Sequence, residues 1–319
     1  MHEIIKWVSD ARAEKEIGPA MSFYKVQGGE VRTTNGRLTA CYPWDGDMEF
    51  LVAGAEFEKV LSRMDDPVIK VNGDSIVVRS GRFSGTIATM PLADWNYPDV
   101  VDAEWVSIPS GLIDILKSLR VFIPDKPQQL WMGCVALEDG NCYSTNGYAI
   151  AGSACDVGKV QALLPAEAID FVMRRLEGLE EWACNENYVA FRWQSGAWLR
   201  TQKVIGKFTE KGANMVRKAY QIEPTQEITQ EFREAFADVA ALAEDSVKVY
   251  SDRIEARFKQ SKIVAPMESS IEKDSCLVWS AQILAPVISQ ATHWTPTKPP
   301  ELTPFRGDNV AGWIAGRRE

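Results

Sequence analysis

Apolar residues recur at helical spacing along much of the chain. Residues 3–13 place Ile4, Trp7, Val8 and Ala11 on one face, and residues 55–64 do the same with Phe57, Val60, Leu61 and Met64. Residues 110–120 align Leu112, Ile115, Leu116 and Leu119 just after Ile108-Pro109, a good helix entry. Residues 165–176 align Ile169, Val172, Met173 and Leu176. Residues 228–244 and 278–291 are two further helix-like segments, the second expected to kink at Pro286. Elsewhere the period falls to two. Alternation over 72–81 continuing to 86–90, over 187–193 continuing to 197–201, and over 247–250 and 253–259 predicts strands. Asn35-Gly36 and Asn146-Gly147 predict hairpins, because both residue types tolerate positive φ.

The chain repeats itself. Thr34-Asn35-Gly36-Arg37-Leu38-Thr39-Ala40 returns as Thr145-Asn146-Gly147-Tyr148-Ala149-Ile150-Ala151. Each copy is followed by one of the helices and then by a strand pair. A third, weaker copy follows Tyr220. The order helix, strands, helix, strands makes the fold class α+β, with three repeated domains expected at 1–104, 105–219 and 220–319. The segment from Pro91 to Asp99 closes the first copy, and Lys218 to Thr225 leads into the third. Thr295-Pro296-Thr297-Lys298-Pro299-Pro300 predicts an extended stretch.

Composition removes several function classes. With 319 residues, 45% hydrophobic and 25% charged, the chain is neither disordered nor collagen-like. No run approaches the roughly 18 apolar residues of a membrane span, and Met1 to Lys6 lacks a leader pattern. A soluble, cytoplasmic protein is expected. His2 and His293 are the only histidines, too few for a His-based triad or a multi-His metal site, and no cofactor is expected. Cys41, Cys134, Cys142, Cys155, Cys184 and Cys276 form no Cys-x-x-Cys and read as reduced, mostly buried thiols. Gly152 to Lys159 imitates a phosphate loop, with one residue too many between the glycines and Val160 where Ser or Thr must reach magnesium. Asp65-Asp66 and Glu180-Glu181 are sequence neighbours that do not face each other, so solvated charge is expected. The 11 tryptophans read as core and interface packing more readily than as a sugar platform. Nothing here resembles an active site, and the chain is not expected to be an enzyme.

The formal net charge of -9 argues against a protein coated in basic residues for nucleic acid. The predicted helices complicate that inference. Lys6 with Arg12, Lys59 with Arg63, Lys117 with Arg120, and Arg174 with Arg175 lie on or beside the solvent faces of the first two copies. One cationic helix face is ordinary solvation. Its recurrence across repeats suggests one basic surface on an acidic protein.

Aligned on these motifs, the repeat resembles the bacterial DNA polymerase sliding clamp, the β-clamp family of DNA polymerase III subunit beta. Ser144-Thr145-Asn146-Gly147-Tyr148-Ala149-Ile150-Ala151 is similar to that family's Ala-Thr-Asp-Gly-His-Arg-Leu-Ala hairpin. Met90-Pro91-Leu92-Ala93-Asp94-Trp95 resembles its Leu-Pro-Ala-Glu-Asp-Phe segment, and Leu199 to Phe208 resembles the strand running into Gly-Arg-Phe-Pro. Leu164-Pro165 matches the entry to the second domain's second helix. The resemblance covers the first two-thirds of the chain well and the last third weakly. Tyr148-Ala149 replaces the family's His-Arg, Thr209 replaces a Pro and leads into a longer turn over Glu210 to Asn214, and Gly312 to Glu319 matches the family's tail only loosely. These departures mark a divergent member, cellular or virus-encoded.

The resemblance implies a ring-shaped homodimer closed head to tail, with helices lining the hole. It implies encircled double-stranded DNA, a DNA polymerase and an ATP-dependent clamp loader as partners, and no membrane. Lys6, Arg12, Lys59, Arg63, Lys117, Arg120, Arg174 and Arg175 would then face DNA. Thr145, Gly147, Tyr148, Ala149, Ile150, Met215, Val216, Trp313 and Ile314 would hold a partner peptide between the second and third domains. Two other readings stay open: an α+β enzyme using Asp or Glu as acid and base, and a repeat-built interaction scaffold with no DNA role.

Overall fold

The computed structural model describes the whole chain apart from residues 16, 270, 274, 318 and 319. The last two end the tail that the clamp resemblance includes. One element order recurs. The chain opens with α1 (His2–Val8), β1 (Phe23–Gln27), β2 (Glu30–Thr34), β3 (Leu38–Pro43), β4 (Phe50–Ala53), α2 (Gly54–Leu61), β5 (Val68–Asn72), β6 (Ser75–Ser80) and β7 (Phe83–Met90). After the short β8 (Val106–Ser107) come α3 (Leu112–Arg120), β9 (Cys134–Glu138), β10 (Asn141–Thr145), β11 (Ala149–Ala154) and β12 (Gln161–Pro165). They are followed by α4 (Ala166–Met173), β13 (Leu179–Cys184), β14 (Tyr188–Trp193) and β15 (Trp198–Gln202). Next are α5 (Glu210–Ala219), β16 (Gln226–Glu227), α6 (Gln230–Ala240), β17 (Ser246–Val249), β18 (Arg253–Phe258), β19 (Ser261–Pro266) and β20 (Leu277–Ser280). The described elements close with α7 (Ala281–Gln290), β21 (His293–Trp294), β22 (Leu302–Arg306) and β23 (Ala311–Ala315). Helix, four strands, helix, three strands thus occurs three times.

The chain forms two compact units. The first comprises Met1–Ile108 and Asp170–Lys203, the second Pro109–Ile169 and Val204–Glu319. In the first, an 11-stranded antiparallel sheet runs β5-β6-β7-β4-β1-β2-β3-β15-β14-β13-β8. Its core includes Tyr24, Val26, Val31, Phe57, Ile76 and Phe171, all fully buried. Phe57 and Leu61 are the inward stripe of α2, and each contributes roughly 1.5–3 kcal/mol by leaving water. Trp7 closes the core edge-on against Tyr42, Phe171 and Trp193. In the second unit, an 8-stranded sheet runs β12-β9-β10-β11-β23-β22-β21-β16, and a separate 4-stranded sheet runs β19-β18-β17-β20. Leu112, Leu116 and Leu119 of α3 are fully buried in this unit, as the sequence stripe predicts.

The paired hairpins are alike to the level of single hydrogen bonds. Thr34 Oγ1 donates to the Leu38 carbonyl at 2.6 Å and accepts the Gly36 N–H at 3.0 Å. Asn35 Oδ1 accepts the N–H groups of Arg37 and Leu38. In the second hairpin, Thr145 Oγ1 donates to the Ala149 carbonyl at 2.7 Å and accepts the Gly147 N–H at 3.0 Å. Asn146 Oδ1 accepts from Tyr148 and Ala149. Positive φ falls on the glycines alone, 86° at Gly36 and 90° at Gly147, and the asparagines serve as side-chain turn formers.

The structure redraws several predicted elements. The helix expected over 3–13 stops at Val8 and continues as a 3-10 turn, Ser9–Ala11. Residues 277–280, expected partly as helix, form β20 against β17; the run Leu-Val-Trp suits a buried strand, and α7 starts only after it. Pro286 sits within α7. Residues 210–214, expected as a turn, open the ten-residue helix α5. Thr209 caps it by accepting the Gly212 N–H.

Candidate partner groove and basic helix faces

Strands β11 and β23 pair antiparallel so that Ile150 lies opposite Trp313, and helix α5 packs across both. The packing is close because residue 212 is glycine. A Cβ there would lie 2.9 Å from Ile150 Cδ1 and from Phe208 Cε1, too near for any other residue without a shift. Phe208 stacks on Tyr143 with ring centroids 5.2 Å apart and meets Trp131 edge-on at 5.5 Å. Trp313 Nε1 donates to the Met215 carbonyl at 2.7 Å, which fixes the indole as a wall. Between these side chains lies an open groove of about 370 Å³, at the small end of the range for ligand sites.

Thr145, Gly147, Tyr148, Ala149, Ile150, Met215 and Trp313, which the resemblance implies as partner-binding, line this groove. Val216 and Ile314 lie beneath it, 2% and 0% exposed. Ile314 follows Trp313 on a strand, so its side chain points to the opposite face. Sequence reasoning misses Trp131, Met132, Lys211, Gly212 and Leu302, which also line the groove. For Lys211 and Gly212 a signal exists: Thr209 followed by Glu210, with small apolar residues at 213, 216 and 219, is a capped amphipathic helix.

The first unit builds the same frame with different side chains. Its register pairs Leu38 with Thr201 and Thr39 with Arg200, just as the second pairs Ala149 with Ile314 and Ile150 with Trp313. Lys25, Arg32, Thr39 and Arg200 therefore stand where Ala136, Tyr143, Ile150 and Trp313 stand in the second unit. That face is sealed by its own chain. Lys25 Nζ lies 2.6 Å from Asp99 Oδ2, Arg32 lies 3.3 Å from Asp99 Oδ1, and Trp95 Nε1 donates to Asp99 at 3.0 Å. Arg200 stacks over Tyr188, 4.0 Å from the ring centroid, and donates to the Val100 carbonyl.

The expected DNA-facing cations divide into two groups. Lys6 on α1, Lys59 on α2, Arg63 just after it and Lys117 on α3 are exposed. Arg174, 57% exposed, pairs with Asp10 across 3.2 Å. Arg120 is half-buried at the end of α3. Arg12 and Arg175 are built into the protein instead, with side chains 14% and 11% exposed. Arg12 Nε meets Glu58 Oε1 at 3.0 Å, and the fully buried Tyr24 donates its hydroxyl to the same carboxylate. Burial alone would lower the Arg12 pKa, but Glu58 and Tyr24 outweigh it and raise it. Arg175 meets Asp10 at 2.7 Å and lies 3.8 Å from the Phe171 ring centroid; burial, the largest influence, holds its pKa below the ordinary value against the pull of Asp10. On α6 and α7, Gln230, Gln282 and Ser289 are exposed, and Arg233 donates to the Ala291 carbonyl.

The remaining candidates are structural. Cys41, Cys134, Cys142 and Cys155 are buried and form no disulfide with one another, and burial pushes the Cys41 thiol up. Gly152 lies inside β11, not in a phosphate loop. Glu181 pairs with Arg192, and Glu180 accepts from Gln194. Among the described residues, no group of His, Cys, Asp and Glu is arranged to hold a metal ion, and no helix is long and apolar enough to cross a membrane.

The sequence matches no family model and no curated protein. Solved structures match it over the full length. A sliding clamp (DNA polymerase III subunit beta) from Pseudomonas aeruginosa, bound to griselimycin, superposes with a TM-score of 0.79 at 14% identity, covering 100% of this chain and 97% of that one. The C. crescentus beta sliding clamp gives 0.81 at 14% identity, with 100% and 96% covered. A Helicobacter pylori beta clamp bound to a DNA ligase peptide gives 0.77 at 11% identity, with 100% and 97% covered. With its thrice-repeated element order matched from end to end, this chain has the fold of the bacterial beta sliding clamps.

Proposed function

We propose that this protein is a cytoplasmic DNA sliding clamp: a homodimeric ring that encircles duplex DNA and tethers a polymerase and other partners through the groove at Ile150 and Trp313. The observation that carries the reading is the contrast between equivalent faces, since the first is sealed by Asp99 and the second stays apolar and open. Repeat domains at 1–104, 105–219 and 220–319 are part of the proposal.

Ring closure is supported by the sheet edges. β5 ends the 11-stranded sheet with Val68 and Val71 exposed, and β19 ends the 4-stranded sheet with Val264 exposed. Edges of this kind invite pairing. Joining β5 of one protomer to β19 of its partner would be a heterologous contact, made twice in a ring of two chains. Lys6, Lys59, Arg63, Lys117 and Arg174 would then attract phosphates weakly and without sequence preference, while topology retains the DNA. The loader that opens such a ring is a separate, ATP-driven protein.

Native mass spectrometry and retention on nicked circular plasmid test the reading together. A dimer that a loader places on circles, and that leaves when they are linearised, is expected. A stable monomer at micromolar concentration, or equal retention on linear DNA, would overturn it.

A further inference from the structure

The sealed face of the first unit is closed by one short stretch of its own chain. Trp95 is buried at one end of that stretch, and Val101 packs against Tyr188 and Ala190 at the other. Asp102, just beyond, is committed to Tyr188 and Asn185. The middle, Pro98 to Val100, is lightly held. Pro98 has no N–H to give, and among the described residues the N–H groups of Asp99 and Val100 bond to nothing. Val100 is 63% exposed. What holds the stretch down is the Asp99 carboxylate on Lys25, Arg32 and Trp95, together with the Val100 carbonyl on Arg200. The cations beneath are not fully used. Arg32 is shared between Asp99 and Glu30, yet its Nε and that of Arg200 are buried, and among the described residues neither meets an acceptor. Buried donors without acceptors are costly, so the face favours a further oxygen.

We propose that Pro98 to Val100 is a built-in pseudo-ligand, and that this face takes an acidic segment of a partner protein in its place. The stretch itself shows what fits: a carboxylate for Lys25 and Arg32, followed one residue later by a carbonyl for Arg200. An incoming peptide with neighbouring carboxylates outdoes it by bringing a second acceptor to the unused guanidinium N–H groups. No aromatic face lies free for a base, since Arg200 covers the Tyr188 ring at 4.0 Å and Trp95 is buried, which favours a peptide over a nucleic-acid strand. Opening is local: Asp99 and one carbonyl let go while both ends stay packed. Because the closed form excludes the peptide, the intact protein binds it with an affinity reduced by the fraction open. The contact is charge-assisted and fades with salt. It uses no residue of the groove at Ile150 and Trp313, so occupation of the two faces is independent.

The test is fluorescence anisotropy at low salt on the full-length protein, with a labelled peptide that carries a Glu-Asp-Glu centre among Gly and Ser and no apolar residue. The parent is expected to bind it weakly, and Asp99→Asn, which removes the internal carboxylate, about ten-fold more tightly. A matching Gln-Asn-Gln peptide should bind neither form. Arg200→Gln keeps both Asp99 ion pairs and should lose the parent's binding, which decides the matter even if Asp99→Asn does not fold. No binding to the parent at millimolar peptide, no gain in a folded Asp99→Asn, or binding untouched by Arg200→Gln overturns the proposal. Ile150→Asp should bind the acidic peptide as the parent does; a loss there would move the peptide to the groove and overturn the assignment to this face. Displacement of the peptide by an equimolar single-stranded oligonucleotide would make nucleic acid the occupant and overturn the acidic peptide.

Discussion

At the face of the first hairpin, Lys25, Arg32, Thr39 and Arg200 fill the positions that Ala136, Tyr143, Ile150 and Trp313 fill at the second. The backbone beneath is the same, down to the Thr and Asn hydrogen bonds at the turn. In the first unit the charges are consumed internally by Asp99, and Arg200 is tied to Val100. In the second, no charge lies on those four positions, and the side chains leave a groove. A repeated frame therefore specifies where a site can be, and a handful of side chains decides whether it is open. Salt bridges act as a seal here because each buried cation would be costly without its partner.

The comparison can be broken most severely at Ile150. Ile150→Asp buries an unpaired carboxylate among Trp313, Met215 and Phe208, and should weaken peptide binding by about 3 kcal/mol, more than a hundred-fold. Arg37→Asp, at the tip of the sealed hairpin, should leave peptide affinity unchanged in the same titration. If both variants behave alike, the two faces are not functionally distinct.

A smaller effect is expected from unsealing the first face. Asp99→Ala strands Lys25, which is only 5% exposed, while Arg32 keeps Glu30, and should cost about 2 kcal/mol of stability by urea denaturation. Peptide affinity should not change. Smaller still, Trp313→Phe keeps an aromatic wall but removes its hydrogen bond to the Met215 carbonyl, and should weaken peptide binding by about 1 kcal/mol. An unchanged affinity would show that the indole hydrogen bond does not hold the wall. The helix cations give the slightest single effects. Lys59→Glu should reduce the salt dependence of DNA retention by about one phosphate contact, whereas Arg12→Gln should lower stability and leave that slope alone. Matching salt slopes for these two variants would erase the division between exposed and built-in cations.

Much of the fold is legible in the sequence because helices and hairpins advertise themselves locally. The stripes Phe57, Leu61 and Leu112, Leu116, Leu119 name buried faces, and Asn-Gly marks both turns. The start of helix α5 reads as a turn because Gly212 usually breaks a helix, yet here it permits close contact with Ile150 and Phe208. The groove is half legible. Thr145 to Ile150 sit in the repeated motif, but Trp131, Met132 and Leu302 arrive from segments whose distance in space no local pattern reveals. Arg12 and Arg175 show the same limit. Both lie beside solvent faces by periodicity, while their partners Glu58 and Asp10 come from distant parts of the chain.

The turn that both hairpins share holds itself. Its shape comes from Thr and Asn side chains and a glycine at positive φ, and the residue at the tip, Arg37 or Tyr148, joins it through its backbone, giving its N–H to the Asn side chain and its carbonyl to Gln202 or Ala315 of the neighbouring segment. Tyr148 is 60% exposed at the mouth of the groove. In the proposed clamp, mutational tolerance and exposure to a partner would therefore coincide at one residue. Such a site can be retuned by single substitutions without refolding the hairpin. A chain that keeps its frame can in this way diverge in whom it recognises faster than in what shape it takes.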